Sequence, residues 1–135
     1  MIVVDASVIV SNYLENEKFH LKAKRFFQRL IKSKEIILLP EIAFPEIASA
    51  ISRGTGNPQY ALDFCRELRL LSNFIFIPID ESISDLSVEI ASKYFLKGAD
   101  AIYVAVAYKY DVPLATFDEE QKKKASKIIK VMNIS

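Results

Sequence analysis

This chain of 135 residues, 51% of them hydrophobic, is long enough for one domain with a buried core, and its composition excludes intrinsic disorder. Its formal net charge of +1 is far from the strongly basic balance of a dedicated nucleic-acid-binding protein. Its apolar runs are shorter than the roughly 20 residues of a membrane-spanning helix, so we expect no membrane segment.

Short apolar runs alternate with amphipathic segments along the chain. The runs predict strands over residues 1–4, 35–39, 74–79 and 112–117, with a fifth at 128–132. The periodic segments predict helices over residues 7–14, 19–31, 42–54, 61–71, 83–94 and 99–110. This alternation is typical of an α/β fold with a parallel sheet of about five strands covered by helices. We expect residues 1–135 to form a single domain.

Four acidic residues stand where their neighbours are apolar, small or turn-forming. Asp5 ends the first predicted strand and Asp118 ends the fourth, so both fall where parallel α/β folds form their sites. Glu46 interrupts one apolar helix, and Asp100 opens another. Converging carboxylates repel one another unless a divalent cation neutralises them. The four acids therefore indicate a metal site.

The remaining residue types limit which metal such a site could hold. Cys65 and His20 are the only cysteine and histidine, so no zinc cluster of thiolates and imidazoles can form. Oxygen ligands favour Mg²⁺, Mn²⁺ or Ca²⁺. Ser7 and Thr116 are short hydroxyls beside two of the acids and are candidates to orient a carboxylate or a water. The lone Cys65 cannot form an internal disulfide, which is typical of a cytoplasmic protein.

Each acid also has a purely structural interpretation. Asp5 and Asp100 are each suited to cap the helix that follows, and the segment Asp118–Gln121 has the form of a capping box. Glu46 has no Lys or Arg three or four positions away, so no local ion pair satisfies it. The preceding Pro45 either kinks this helix or is its first residue, which would place Glu46 in the first turn.

Four segments in this order carry a resemblance over essentially the whole chain. They are Val3-Val-Asp-Ala-Ser7, Glu46 on the helix after the second strand, Gly98-Ala-Asp-Ala-Ile-Tyr-Val-Ala-Val-Ala107 and Pro113-Leu-Ala-Thr-Phe-Asp118. Together they resemble the PIN-domain family, and in size and order they look most like the VapC-type toxins of prokaryotic toxin–antitoxin pairs.

The resemblance implies a PIN-like three-layer α/β/α fold and a metal-dependent endoribonuclease. In similar enzymes an acidic quartet holds Mg²⁺ or Mn²⁺, which activates a water that hydrolyses RNA phosphodiester bonds and leaves a 5′-phosphate and a 3′-hydroxyl. Carried over residue by residue, the quartet falls on Asp5, Glu46, Asp100 and Asp118, and two supporting hydroxyls fall on Ser7 and Thr116. The resemblance also implies a cognate antitoxin protein and a homodimer.

The sequence also offers candidate partner surfaces and two alternative functions. Residues 8–14 and 60–71 are the candidates for an exposed apolar surface. A catalytically inactive PIN-like interaction module is one alternative, although a scaffold has no physical need for four clustered like charges. A receiver-like phospho-acceptor domain is the other. It would need an acceptor Asp at the end of a central strand, where this chain has Pro40 and the segment Pro78-Ile-Asp80.

Overall fold

The computed structural model, which describes residues 1–134, contains four parallel strands in one sheet. The strands are β1 (Ile2–Val4), β2 (Ile37–Pro40), β3 (Phe74–Ile77) and β4 (Leu114–Ala115), arranged in the order β3-β2-β1-β4. In the central register, Val3 pairs with Leu38 on one side and Leu114 on the other. Every residue of β1 and β2 is buried, so both faces of these strands are covered.

Seven helices connect and cover the strands in the described residues. They are α1 (Ala6–Tyr13), α2 (His20–Lys32), α3 (Ala43–Thr55), α4 (Pro58–Arg69), α5 (Glu81–Tyr94), α6 (Gly98–Tyr110) and α7 (Glu119–Ala125). Helix α6 is apolar on nearly all sides and packs against α5 and three of the strands. The predicted α/β fold, a parallel sheet covered by helices, is confirmed. None of the helices within residues 1–134 is long and apolar enough to cross a membrane.

The predicted fifth strand at residues 128–132 is reduced to a single bridge. Val131 bridges Leu114, whose N–H donates to the Lys130 carbonyl at 3.0 Å and whose carbonyl accepts from Met132 at 2.8 Å. The segment therefore lies beside β4 as expected. Because β4 is only two residues long, it offers no ladder along which a fifth strand could extend.

Pro45 occupies the third position of α3, so neither predicted alternative for it is right. The helix begins at Ala43 and shows no break at Pro45. The first four N–H groups of a helix have no intrahelical acceptor, so a proline in the first turn removes no hydrogen bond. Glu46 does lie in the first turn, as the second alternative predicted. The helix ends at Thr55, and the following Gly56 has a φ of 67°, a left-handed conformation that glycine adopts without strain.

The two segments predicted as apolar partner surfaces have different outcomes. In residues 8–14 most apolar side chains are buried, because α1 packs against α2 and α3. That prediction was wrong. In residues 60–71 several large apolar side chains are exposed, namely Tyr60, Leu62, Leu70 and Leu71. This second segment therefore remains a candidate surface.

Candidate active site

One cavity of about 770 Å³ has all four predicted acids in its lining. Asp5 follows β1 directly, and Asp118 follows β4 after two residues, so both lie at the carboxyl ends of neighbouring strands. Glu46 and Asp100 lie in the first turns of α3 and α6. The four side chains thus come together at the sheet edge where parallel α/β folds form their sites.

Each of the four acids lies at the N-terminus of a helix. Asp5 caps α1 by accepting the Ser7 N–H at 2.6 Å, and Asp118 caps α7 by accepting the Gln121 N–H at 3.0 Å. The capping role suggested for Asp100 was wrong, because Lys97 is the N-cap of α6. A helix N-terminus carries about half a positive charge, which offsets part of the negative charge gathered here. For Asp5 and Asp118, capping and lining the cavity are therefore compatible roles.

Thr116 connects two of the acids through one buried hydroxyl. Its Oγ1 lies 2.5 Å from Asp5 Oδ2 and 2.8 Å from Gln121 Oε1, and it accepts the Asp118 N–H at 3.0 Å. A hydroxyl has one proton and can donate to only one of those two oxygens. The Gln121 Nε2 donates in turn to the Asp100 backbone carbonyl at 3.4 Å, so the same network reaches a third acid. Gln121 is 1% exposed and was not predicted as part of the site.

Glu46 is held by a residue that the sequence analysis did not select. The Tyr103 hydroxyl donates to Glu46 Oε1 at 2.7 Å, and the Tyr103 side chain is 1% exposed. Burial, and then the charge of Glu46, raise the pKa of Tyr103, so this phenol stays a donor at neutral pH. Tyr103 follows Asp100 by three positions on α6, which puts both on one helix face. That spacing was the available signal.

Burial and mutual repulsion raise the pKa of three of the carboxyl groups. For Asp5, burial raises the pKa, and hydrogen bonds from Thr116 and Ser7 partly oppose the change. For Glu46, burial raises the pKa and the charge of Asp5 adds to it. The pKa of Asp100 is raised to about 6 by burial, then by the charges of Asp118, Asp5 and Glu46. The cavity therefore holds more negative charge than its surroundings stabilise.

The donor atoms around this cavity fit a magnesium or manganese ion that keeps part of its water shell. Within residues 1–134, no three Asp, Glu, His or Cys side chains already converge on one metal position. Mg²⁺ usually retains several waters and needs only one or two carboxylates. Ser7 belongs to the cavity lining, and its Oγ is a buried polar atom without a hydrogen-bond partner within residues 1–134, as expected beside a site that a ligand completes.

A comparison of the sequence with protein-family models decides the family. The model described as PIN domain matches residues 2–127. The chain belongs to the PIN-domain family. Proteins of this family are typically nucleases, so the family match favours hydrolysis over the receiver-like alternative. No curated protein matches the sequence of this PIN domain.

Several solved structures share this fold. VapC20 of Mycobacterium tuberculosis, described as a sarcin-ricin loop cleaving toxin, is 20% identical with a TM-score of 0.79, over 98% of this chain and 100% of that one. A toxin–antitoxin complex from Klebsiella pneumoniae is 22% identical with a TM-score of 0.70, over 100% and 98%. FitAcB from Neisseria gonorrhoeae is 21% identical with a TM-score of 0.73, over 98% and 97%. At this identity the likeness shows the fold of this PIN domain.

Proposed function

We propose that this PIN domain is a Mg²⁺- or Mn²⁺-dependent endoribonuclease in which Asp5, Glu46, Asp100 and Asp118 hold the metal. One observation carries the proposal: these four carboxylates line a single cavity, where the charges of the other three add to the burial that raises the pKa of Asp100. Clustered like charges are unfavourable in a folded protein, and a divalent cation removes that cost. A role limited to helix capping would not require the four acids to share a cavity.

The chain's own residues fix the carboxylates before any metal or substrate arrives. Thr116 and the Ser7 N–H hold the two oxygens of Asp5, and Tyr103 holds one oxygen of Glu46. Within residues 1–134 the Asp100 carboxylate accepts no hydrogen bond, so both of its oxygens are free for a cation or its waters. A bound divalent cation supplies a Lewis acid that lowers the pKa of a coordinated water and offsets charge on the scissile phosphate.

By similarity to the toxins above, we propose that the substrate is single-stranded or looped RNA, whose splayed backbone can enter an open cavity. We propose further that the chain is a VapC-like toxin acting in the cytoplasm as one domain over residues 1–135. A cognate antitoxin protein and a second copy of the chain are its proposed partners. The exposed apolar side chains of residues 60–71 offer a surface for either partner.

The second candidate is a catalytically inactive PIN-like module. It is favoured by one observation, namely that no three carboxylates within residues 1–134 converge on a metal position. The two candidates differ in whether purified protein cuts RNA when a divalent cation is supplied.

The test is cleavage of end-labelled single-stranded and hairpin RNA by purified protein, in Mn²⁺, Mg²⁺ or EDTA. We expect cutting only with metal, with 5′-phosphate products. Asp5→Asn should lower the rate at least about 100-fold, beyond what loss of an outer supporting group costs. Asp85→Asn is the matched control, because Asp85 is an exposed α5 residue outside the cavity lining. Equal activity of Asp5→Asn and the parent would reject the proposal, as would cutting that EDTA does not affect.

A further inference from the structure

Two aromatic side chains form part of the cavity wall beside the acids. Phe19 immediately precedes α2, and Phe117 lies between Thr116 and Asp118. Both rings belong to the cavity lining, and they stack with centroids 4.6 Å apart and planes 21° from parallel. Both residues are half-buried, so each keeps some accessible aromatic surface at the cavity mouth.

Positive charge lies over this aromatic surface. The Nζ atoms of Lys18 and Lys22 are 5.2 and 5.6 Å from the centroid of the Phe19 ring, and both side chains are exposed. Within residues 1–134 neither ammonium group is paired with a carboxylate. Glu17 lines the cavity next to Lys18 in sequence, so the two lysines outnumber this carboxylate on the Phe19 side of the rim.

We propose that Phe19, backed by Phe117, is a stacking platform for one base of single-stranded RNA, and that Lys18 and Lys22 contact the neighbouring phosphates. This inference rests on the proposed nuclease function. An acidic centre with an aromatic and cationic rim is complementary to a chain that alternates phosphates with bases. Base–aromatic stacking accepts every base, so this platform adds affinity without strict sequence choice.

The sequence order places the platform next to the chemistry. Phe117 directly precedes Asp118, whose backbone N–H is held by Thr116. A base stacked on this pair of rings therefore belongs to a nucleotide at or beside the scissile phosphate. The lysines need only turn from the ring face toward the phosphates, which their exposure and flexible stems allow.

The experiment measures binding rather than cutting. The full chain carrying Asp100→Asn, which removes one proposed metal ligand, is titrated with a fluorescein-labelled single-stranded RNA of mixed sequence in Mg²⁺, and anisotropy gives Kd. Phe19→Leu in this background should weaken binding about 5- to 150-fold. Phe27→Leu is the matched control, because Phe27 is a half-buried α2 residue outside this cavity, and it should leave Kd unchanged.

A second arm uses an abasic nucleotide moved along the same RNA. One abasic position should weaken binding to the Phe19 protein, while the Phe19→Leu protein should not respond to it. Lys18→Ala and Lys22→Ala should weaken all sequences alike, each lowering the slope of log K against log salt by about 0.7. Thermal denaturation of each variant checks that it is folded.

The outcomes separate the platform from the nuclease. Equal Kd values for Phe19→Leu and its parent overturn the platform, as do abasic losses that are the same in both proteins. No RNA binding by the parent also overturns it and leaves the aromatic rim to a protein partner. Binding with the expected dependences, together with an inert wild-type protein in every metal, supports the platform and rejects the nuclease.

Discussion

Replacing Asp100 by asparagine should make the metal-free protein more stable. The Asp100 carboxylate lies in the cavity with three other acids, and burial together with their charges raises its pKa to about 6. Asparagine keeps the shape of the side chain and removes the charge. The substitution therefore removes repulsion while disturbing little packing, since no hydrogen bond to the Asp100 carboxylate exists within residues 1–134.

The expected gain in stability of Asp100→Asn follows from the raised pKa of Asp100. A pKa about 2 units above that of an unfolded aspartate corresponds to about 3 kcal/mol of folding free energy. Because Asp100 is half-exposed, solvent screening reduces this to about 1 to 2 kcal/mol. For a chain of 135 residues, that is a rise in Tm of roughly 3 to 7 °C.

The stability difference between Asp100→Asn and wild type should depend on pH. An acid whose folded pKa is raised penalises folding when ionised, so the penalty is complete above about pH 6 and disappears as pH falls toward about 4. The Tm difference between Asp100→Asn and wild type in EDTA should therefore be largest at pH 7.5 and close to zero at pH 4. Scanning calorimetry at both pH values measures it.

Metal addition supplies the complementary half of the test. A cation that binds only the folded state raises stability with its concentration, so Mg²⁺ should raise the Tm of wild type more than that of Asp100→Asn. Asp85→Asn, on an exposed part of α5, should stay within about 0.5 kcal/mol of wild type throughout. Unchanged or lower stability of Asp100→Asn in EDTA at pH 7.5 would refute the claim that the acids repel one another.

Two further substitutions test the supporting residues. Tyr103→Phe removes a hydrogen bond to the Glu46 carboxylate, so urea denaturation should show a loss of about 1.5 to 3 kcal/mol in the free energy of unfolding. Cleavage by this variant should also need a higher Mn²⁺ concentration. Unchanged stability and an unchanged Mn²⁺ requirement would mean that the Tyr103 hydroxyl does not support Glu46. Thr116→Val leaves Asp5, Gln121 and the Asp118 N–H without their shared partner, so it should cost at least about 2 kcal/mol, whereas Thr116→Ser should retain most stability and activity. Wild-type stability in the valine variant would contradict this role of the hydroxyl.

The sequence predicted which segments are strands better than how long they are. The run before Asp5 is β-branched and continuous, which marks a strand buried on both faces. The predicted fourth strand covered residues 112–117, whereas β4 spans only Leu114–Ala115. Strand length depends on the partner available. Strand β4 has β1, three residues long, on one side and a single bridge to Val131 on the other. Neither limit on its length is visible in the local sequence.

The site was predictable where topology alone determines position. Acids that end parallel strands meet at one sheet edge, which is why Asp5 and Asp118 were placed there from sequence. The pairing of Glu46 with Tyr103 was harder to predict, because the two lie 57 positions apart and only the spacing of Tyr103 from Asp100 pointed to it. Gln121 was recognised only as the end of a capping box. Its side chain instead contacts Thr116, a contact made by the loop between β4 and α7.

The net charge of +1 gives no sign of an RNA partner, because acidic and basic side chains lie in different parts of the site. The cavity lining contains five carboxylates and the guanidinium of Arg53, while Lys18 and Lys22 lie at the rim over Phe19. Opposite charges thus cancel in the sum but not in space. A divalent cation adds two positive charges where the carboxylates repel phosphate, so on the proposed mechanism metal binding and RNA binding reinforce each other. Reciprocal coupling of this kind requires RNA to raise the affinity for Mg²⁺ by the same factor that Mg²⁺ raises the affinity for RNA.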